Sequence, residues 1–232
     1  LLGNDEAGAR AWFERSFAAF ERAGDVSGSA LAAASVLTGY GAEEGDLTQL
    51  QAWVGRFQAT RRQANVPSQA DFRTLLQLGV VCAANVADDA PELETEADLA
   101  LTELGARLAD ARAWLSPDLQ MTAAHLLLAH AHAFGTLARA RQIALITESV
   151  ARDEQHSALQ RGRWWLANAS LAEDEGDRER MNAALAEADR LVRETGLRRL
   201  DFAAQLFRIE AVLKVSLDGA AAMLAETEAL AA

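Results

Sequence analysis

A chain of 232 residues with 50% hydrophobic and 24% charged side chains has an ordinary folded composition, and is long enough for one large domain or two small ones. Its net charge of −12 and pI of about 4.8 exclude a general nucleic-acid surface, which needs a basic stripe against the phosphates. Three prolines, one tyrosine and an apolar set dominated by Ala and Leu exclude a β-rich protein and predict an all-α fold.

The first predicted helix runs from about Asp5 to Ala23 with Trp12, Phe13, Phe17 and Phe20 as its apolar stripe, and Gly24 stops it. A second covers about Ser27 to Ala42. Asp46 then caps a third, with Gln49 three residues on as a capping box and Leu50, Trp53, Val54 and Phe57 at helical spacing. Val66-Pro67-Ser68 breaks the chain, and Ser68 with Asp71 opens a fourth helix. The acidic run Asp88-Asp89-Ala90-Pro91-Glu92 opens a fifth, with Pro91 suited to its first turn and the carboxylates to the positive end of its dipole. Ser116-Pro117-Asp118 starts a sixth that reaches Phe134.

The seventh helix spans about Ala138 to Arg152 and the eighth about Ser157 to Glu175. Gly176-Asp177 opens the ninth, which ends near Thr195-Gly196. The tenth covers Leu200 to Ser216, and Asp218-Gly219 introduces an eleventh. Gly24-Asp25, Gly45-Asp46 and Gly176-Asp177, with a degenerate copy at Gly135-Thr136, punctuate this series. Taken as register marks, they give hairpins beginning near Asp5, Asp46, Pro91, Thr136 and Asp177 and a period of ~41 residues, within the range of helical arrays. The eighth helix has two apolar faces, Gly162, Trp165, Ala169 and Ala172 on one and Trp164, Ala167 and Leu171 on the other, as expected of a helix packed on both sides. The expectation is one domain over residues 1–232, a right-handed α–α superhelix of about five helical hairpins plus one terminal helix.

Few residues carry recognisable chemistry. Cys82 sits in an apolar run and reads as a buried, inert thiol; alone, it allows no internal disulfide, which fits a reducing compartment. His125, His130 and His132 share a helix without the spacing or companions of a zinc site, and His156 lies in a polar turn, where exposure is expected. Gly24-Asp25-Val26-Ser27-Gly28 lacks the lysine of a phosphate loop, and no nucleophile elbow is present. No catalytic, metal-ligating or cofactor-binding residue is assigned, so a non-enzymatic role is expected. The remaining candidates are Arg161, Arg163, Trp164 and Trp165, whose guanidinium and indole groups suit a planar ligand or a partner side chain in a concave groove, or simply fill gaps between helices. No apolar stretch approaches the ~20 residues that span a bilayer. The start Leu1-Leu2-Gly3 has neither a basic segment nor an initiator Met and reads as part of a longer protein.

The stretch from Ala11-Trp12-Phe13 through Phe17 and Phe20 to Gly24-Asp25-Val26-Ser27-Gly28 resembles the W-hydrophobic-x-x-A-x-x-x-F-x-x-x-G-D-x-x-G repeat of large bacterial transcriptional activators. That repeat belongs to the tetratricopeptide-like superhelical region of signal-transducing ATPase regulators typified by the maltose-regulon activator, and of relatives with a bacterial transcriptional activator domain. Gly45-Asp46-Leu47-Thr48-Gln49-Leu50-Gln51-Ala52-Trp53-Val54 is similar to a second segment of theirs, and Trp164 to Leu191 is similar to a generic tetratricopeptide unit. The likeness covers the first ~60 residues most specifically; the ~41-residue period departs from the usual thirty-four.

The resemblance implies a cytoplasmic interaction or sensor domain of a transcriptional regulator. Its expected partners are a protein or other domains of the same chain, with a small-molecule effector as the alternative and an enzyme on an α/α scaffold as a third reading. No direct nucleic-acid or membrane partner is expected, and self-association is compatible with an unpaired terminal helix.

Overall fold

A computed structural model describes residues 6–40, 49–65, 68–86, 90–110, 115–214 and 216–231. These residues are all-helical, with eleven helices and no strand among them. In chain order they are α1 (Glu6–Ala23), α2 (Val26–Tyr40), α3 (Leu50–Arg61), α4 (Ala70–Ala84), α5 (Pro91–Ala109) and α6 (Pro117–Phe134). Then come α7 (Leu137–Arg152), α8 (Ala158–Asp174), α9 (Arg178–Thr195), α10 (Arg198–Leu213) and α11 (Leu217–Ala231). Gly45-Asp46, Pro67 and Asp88-Asp89 lie outside the described residues.

The Gly-Asp dipeptide stops one helix and starts the next without a linker. Gly24 takes φ 70° and Gly176 φ 72°, left-handed values that a side chain resists. At each site two backbone bonds close the preceding helix: Gly24 N to Glu21 O (3.1 Å) with Asp25 N to Phe20 O (2.9 Å), and Gly176 N to Glu173 O (2.9 Å) with Asp177 N to Ala172 O (2.8 Å). These are the paired bonds of a Schellman stop. The aspartate then caps the following helix: Asp25 Oδ1 accepts from Gly28 N at 2.9 Å and Asp177 Oδ1 from Arg180 N at 3.0 Å. Gly135-Thr136 keeps only the second half. Thr136 Oγ1 accepts from Arg139 N at 3.2 Å, while Gly135 is extended at φ −100°. A Cβ there would lie 2.6 Å from Ala131 O, so close approach explains that glycine.

Other predicted caps differ. Gln69, not Ser68, takes the N-cap position of α4 and makes no side-chain bond, and Gln49 before α3 makes none either. Asp71 instead accepts from Ser116 N at 3.1 Å and ties the start of α4 to the start of α6.

Among the described residues, each helix touches only helices one or two places away along the chain. The even-numbered helices α2, α4, α6, α8 and α10 pack successively on one another and form a continuous spine. Of the odd-numbered helices only α5 and α7 touch each other, joined by Arg139, which donates to Asp98 Oδ1 at 2.6 Å and to Asp98 O at 3.1 Å. Between helices consecutive in the chain, the extensive pairings are α1–α2, α2–α3, α4–α5, α6–α7, α8–α9 and α10–α11.

This pairing is displaced by one helix from the hairpin starts at Asp46, Pro91, Thr136 and Asp177. The reason lies in the turns. A two-residue stop-and-cap leaves no length to separate the helices it joins, so Gly24-Asp25, Gly135-Thr136 and Gly176-Asp177 fall inside hairpins and not between them. The spine helices begin at Val26, Ala70, Pro117, Ala158 and Arg198, 40 to 47 residues apart, so the period itself is retained.

Small residues let the spine close up. A Cβ at Gly79 on α4 would sit 2.9 Å from both Ala34 Cβ on α2 and Phe57 Cζ on α3. One at Gly162 on α8 would collide with the fully buried side chain of Leu200 on α10. The stripe read on α1 is only partly internal: Phe17 is buried against Trp53 (ring centroids 5.2 Å apart), whereas Trp12 is 59% exposed and Phe20 37%. No helix among the described residues is long and apolar enough to cross a membrane.

Candidate functional site

A cleft of about 280 Å³ opens between α7 and α9, which do not touch, with α8 as its floor. Each helix lines it with residues at helical spacing. From α7 come Arg141, Ala144, Leu145, Glu148 and Arg152; from α9, Arg180, Ala183, Ala184 and Glu187. Positions i, i+3 or i+4 and i+7 lie on one face of a helix, which is how each wall presents a charged rim with alanines between. The floor is Trp164, Trp165 and Asn168.

The two tryptophans have different surroundings. Trp164 is fully buried and donates from Nε1 to Thr147 Oγ1 on α7 at 2.9 Å. Trp165 meets it edge-on, with ring centroids 4.8 Å apart and an interplanar angle of 88°, and the Arg152 guanidinium lies 5.1 Å from its ring centroid. Arg152 is fixed by Glu148 Oε1, accepting from Nε at 3.0 Å and from Nη2 at 2.7 Å. Glu175, at the end of α8, holds Arg180 through its Nη1 and stands 4.0 Å from Arg141 Nη1.

Four buried polar atoms on the lining residues have no hydrogen-bond partner among the described residues: Arg180 Nε, Arg180 Nη2, Trp165 Nε1 and Asn168 Oδ1. Asn168 and Trp165 are each more than nine-tenths buried. Unpaired buried groups of this kind cost about 1–3 kcal/mol each.

Of the four residues singled out by sequence, the structure brings Trp164 and Trp165 together in this cleft. Neither Arg161 nor Arg163 is among its lining residues. Arg161 is buried and donates from Nε to Ala151 O at 2.9 Å, closing the end of α7. Arg163 is half-buried and lies near His125. The guanidiniums of the cleft are Arg141, Arg152 and Arg180, none of which stands out in the sequence. The cleft also opens between odd-numbered helices and not along the even-numbered spine. Its sequence signal is the matching i, i+3/i+4, i+7 run of charge and alanine on α7 and α9, which becomes informative only once the two helices are known to flank α8.

The histidines are engaged elsewhere. His130 Nδ1 hydrogen-bonds Asn85 Oδ1, and His132 Nε2 stands 2.8 Å from Asp174 Oδ2. His156, expected exposed, is 6% exposed, because the turn before α8 folds it inward with Nδ1 unpaired. Burial pushes the Cys82 thiol up to about 12, so it is protonated and inert at neutral pH. No group of three or more His, Cys, Asp or Glu side chains that could hold a metal occurs among the described residues.

No protein-family model matches this chain, and comparisons with curated proteins and with solved structures likewise give no match.

Proposed function

We propose that this chain is a non-catalytic helical-repeat module of a cytoplasmic bacterial transcriptional regulator, a right-handed α–α superhelix that works by binding a protein or other domains of its own chain. The observation that carries this reading is the contact order: each helix packs only on helices one or two places away. A stack built by nearest-neighbour contacts leaves extended surfaces on both sides, which repeat proteins use for binding. The regulator assignment rests on the resemblance of the Trp12-to-Gly28 and Gly45-to-Val54 segments. The engagement of His130 and His132 in contacts between helices supports a structural role for them over a catalytic one.

Effector sensing is the second reading. It is favoured by the cleft, a concavity of about 280 Å³ between α7 and α9 with the two tryptophans in its floor. A sensor of this kind shifts its equilibrium by binding one conformation more tightly than another.

Two measurements test these readings. The coding sequence on either side of residues 1–232 is expected to carry a phosphate-loop ATPase module and a helix-turn-helix domain; a full-length protein with neither overturns the regulator assignment. A thermal-shift screen of sugars, nucleotides and amino acids separates the two binding modes. A specific rise of several degrees in Tm supports sensing, and a flat screen beside a detectable protein partner supports contact with a protein.

A further inference from the structure

We infer that the point where α4, α5, α6 and α7 meet at His130 is an acid-sensitive hinge: a proton on His130 weakens the grip of Arg139 on Asp98 and lets α5 and α7 part. The hinge is independent of what the array binds.

Each group is brought to this point by the start or end of a helix. Thr136 caps α7 by accepting from Arg139 N at 3.2 Å, so Arg139 stands in the first turn and its guanidinium reaches across to α5. There it donates to Asp98 Oδ1 at 2.6 Å, to Asp98 O at 3.1 Å and to Thr102 Oγ1 at 3.3 Å. Asp98 and Thr102 are one turn apart and share a face of α5. His130 lies one turn before the end of α6, with its ring centroid 5.2 Å from that of Phe134. Asn85, the C-cap of α4, accepts from His130 Nδ1 through Oδ1. An amide oxygen only accepts, so Nδ1 carries the proton of the neutral ring, and Nε2 is the nitrogen left to take a second one.

His130 is 8% exposed, and burial holds its imidazole below the ordinary value. Two charges act on it in opposite senses: Asp98 of α5 favours the protonated form and Arg139 of α7 opposes it. Asn85 of α4 is uncharged, and Asp174 of α8 is engaged by His132 Nε2 at 2.8 Å. A proton on Nε2 therefore places a second cation beside one ion pair, where it attracts Asp98 and repels Arg139. The bond between those two weakens. It is solvent-facing, with the Asp98 side chain 65% exposed, and exposed ion pairs contribute little by themselves.

The joint is built to move without unfolding the chain. Among the described residues α5 and α7 are the only odd-numbered helices that touch. The apolar side chains beside their ion pair, Leu99, Phe134 and Leu137, are exposed, so the outer edge of the joint has no apolar seal. When α5 and α7 part, α4 and α6 stay packed on each other and keep the two hairpins together. Opening admits water to His130 and restores its ordinary affinity for a proton, so acid favours the open form. The closed form is complete above 6.5 and is lost as pH falls below that value.

The test places spin labels on the full chain at Ala106→Cys on α5 and Gln142→Cys on α7, both exposed positions, and measures the distance distribution by pulsed electron resonance. Cys82 is buried and unreactive and stays in place. A single distance is expected at about pH 7.5. A longer one is expected to grow as pH falls to about 5, its ratio to the first rising by at most about tenfold per pH unit, the limit for one proton. Labels at Ala19→Cys on α1 and Ala59→Cys on α3 are expected to show no change. His130→Gln keeps a donor for Asn85 but takes up no proton, and is expected to hold the single distance at both pH values.

The inference is overturned if the α5–α7 distance is the same at both pH values, if folded His130→Gln opens as the parent does, or if the α1–α3 control broadens equally. Should His130→Gln fail to fold, Asp98→Asn and Arg139→Gln decide the matter, with the His130 ring titrated by NMR in each. Both substitutions weaken the same bond, yet the midpoint is expected to fall in Asp98→Asn and to rise in Arg139→Gln. A role in packing alone predicts no such opposition, so shifts that are absent or of one sign overturn the hinge.

Discussion

Trp164 and Trp12 are the same residue type with opposite consequences. Trp164 is fully buried and bonded to Thr147, whereas Trp12 is 59% exposed to solvent. Trp164→Phe removes the indole N–H bond and part of a ring in a close-packed site, and is expected to lower the unfolding free energy by about 1–3 kcal/mol in urea denaturation. Trp12→Ala should change it by less than about 0.5 kcal/mol, the ordinary range for a surface substitution. Equal effects would contradict the burial assigned to them. In sequence Trp12 reads as part of an apolar stripe and Trp164 as either a groove residue or a gap-filler between helices, because a helix face shows which residues lie together but not whether a neighbour covers them. His156 failed in the opposite sense: its polar turn predicts solvent, and only the inward fold of residues before α8 buries it.

The histidines of α6 make acid sensitivity a residue-scale property. Burial, assisted by the Arg163 guanidinium, holds the His125 imidazole down to about 3. Burial also lowers His130, with Arg139 lowering it further and Asp98 opposing. Both are therefore neutral in the fold at pH values where the unfolded chain takes up protons. The stability that depends on their neutral forms is complete above the ordinary value of 6.5 and is lost progressively as pH falls from there toward about 3. His125→Gln is expected to flatten the fall of Tm between pH 6.5 and pH 4. A variant with the same slope as the parent would show that His125 does not carry this dependence.

At the scale of helices, the Gly-Asp turn is the most legible feature and the one whose meaning was least determined by sequence. Periodicity, Pro91 and Pro117 in first turns, and the Asp177 cap place the helices to within a few residues of their observed ends. Whether Gly176-Asp177 lies inside a hairpin or between two hairpins is not written in the dipeptide, since both arrangements need one helix to stop and another to start. Packing decides it, through contacts such as Trp164 with Thr147 that no local pattern reveals. Asp177→Ala removes the acceptor for Arg180 N and should cost about 0.5–2 kcal/mol. The same change at Asp25, which caps Gly28 N, should cost a comparable amount by thermal denaturation. A null result at both would mean that the backbone stop alone sets these turns. The cleft was illegible for a related reason: Arg141, Arg152 and Arg180 belong to different helices, and nothing in their local sequence sets them apart from surface charge.

For the whole molecule, contact order predicts how damage spreads. Helices α10 and α11 touch only each other, α8 and α9. Ending the chain at Gly196 removes Leu200 from its place against Gly162 and uncovers one side of α8, while the contacts among α1 to α7 are untouched. The shortened chain is expected to keep its helical circular-dichroism signal per residue within about a fifth of the parent, with a lower Tm, as expected where stability sums over neighbouring units. Collapse of helicity along the whole chain would mean that the helices form a single closed cooperative unit. Hydrogen exchange should likewise be fastest at the ends of the array and slowest along α4, α6 and α8, whose neighbours lie on both sides. The zero-length joints add a different constraint. At Gly24-Asp25 and Gly176-Asp177 the chain has no slack, so one inserted residue cannot be absorbed as a looser loop. If it is taken into the following helix it turns that helix by about 100° about its own axis. The error is then angular, and it swings Ala184, Ala188 and Leu191 of α9 off the core together. At these joints a change of length becomes a change of orientation.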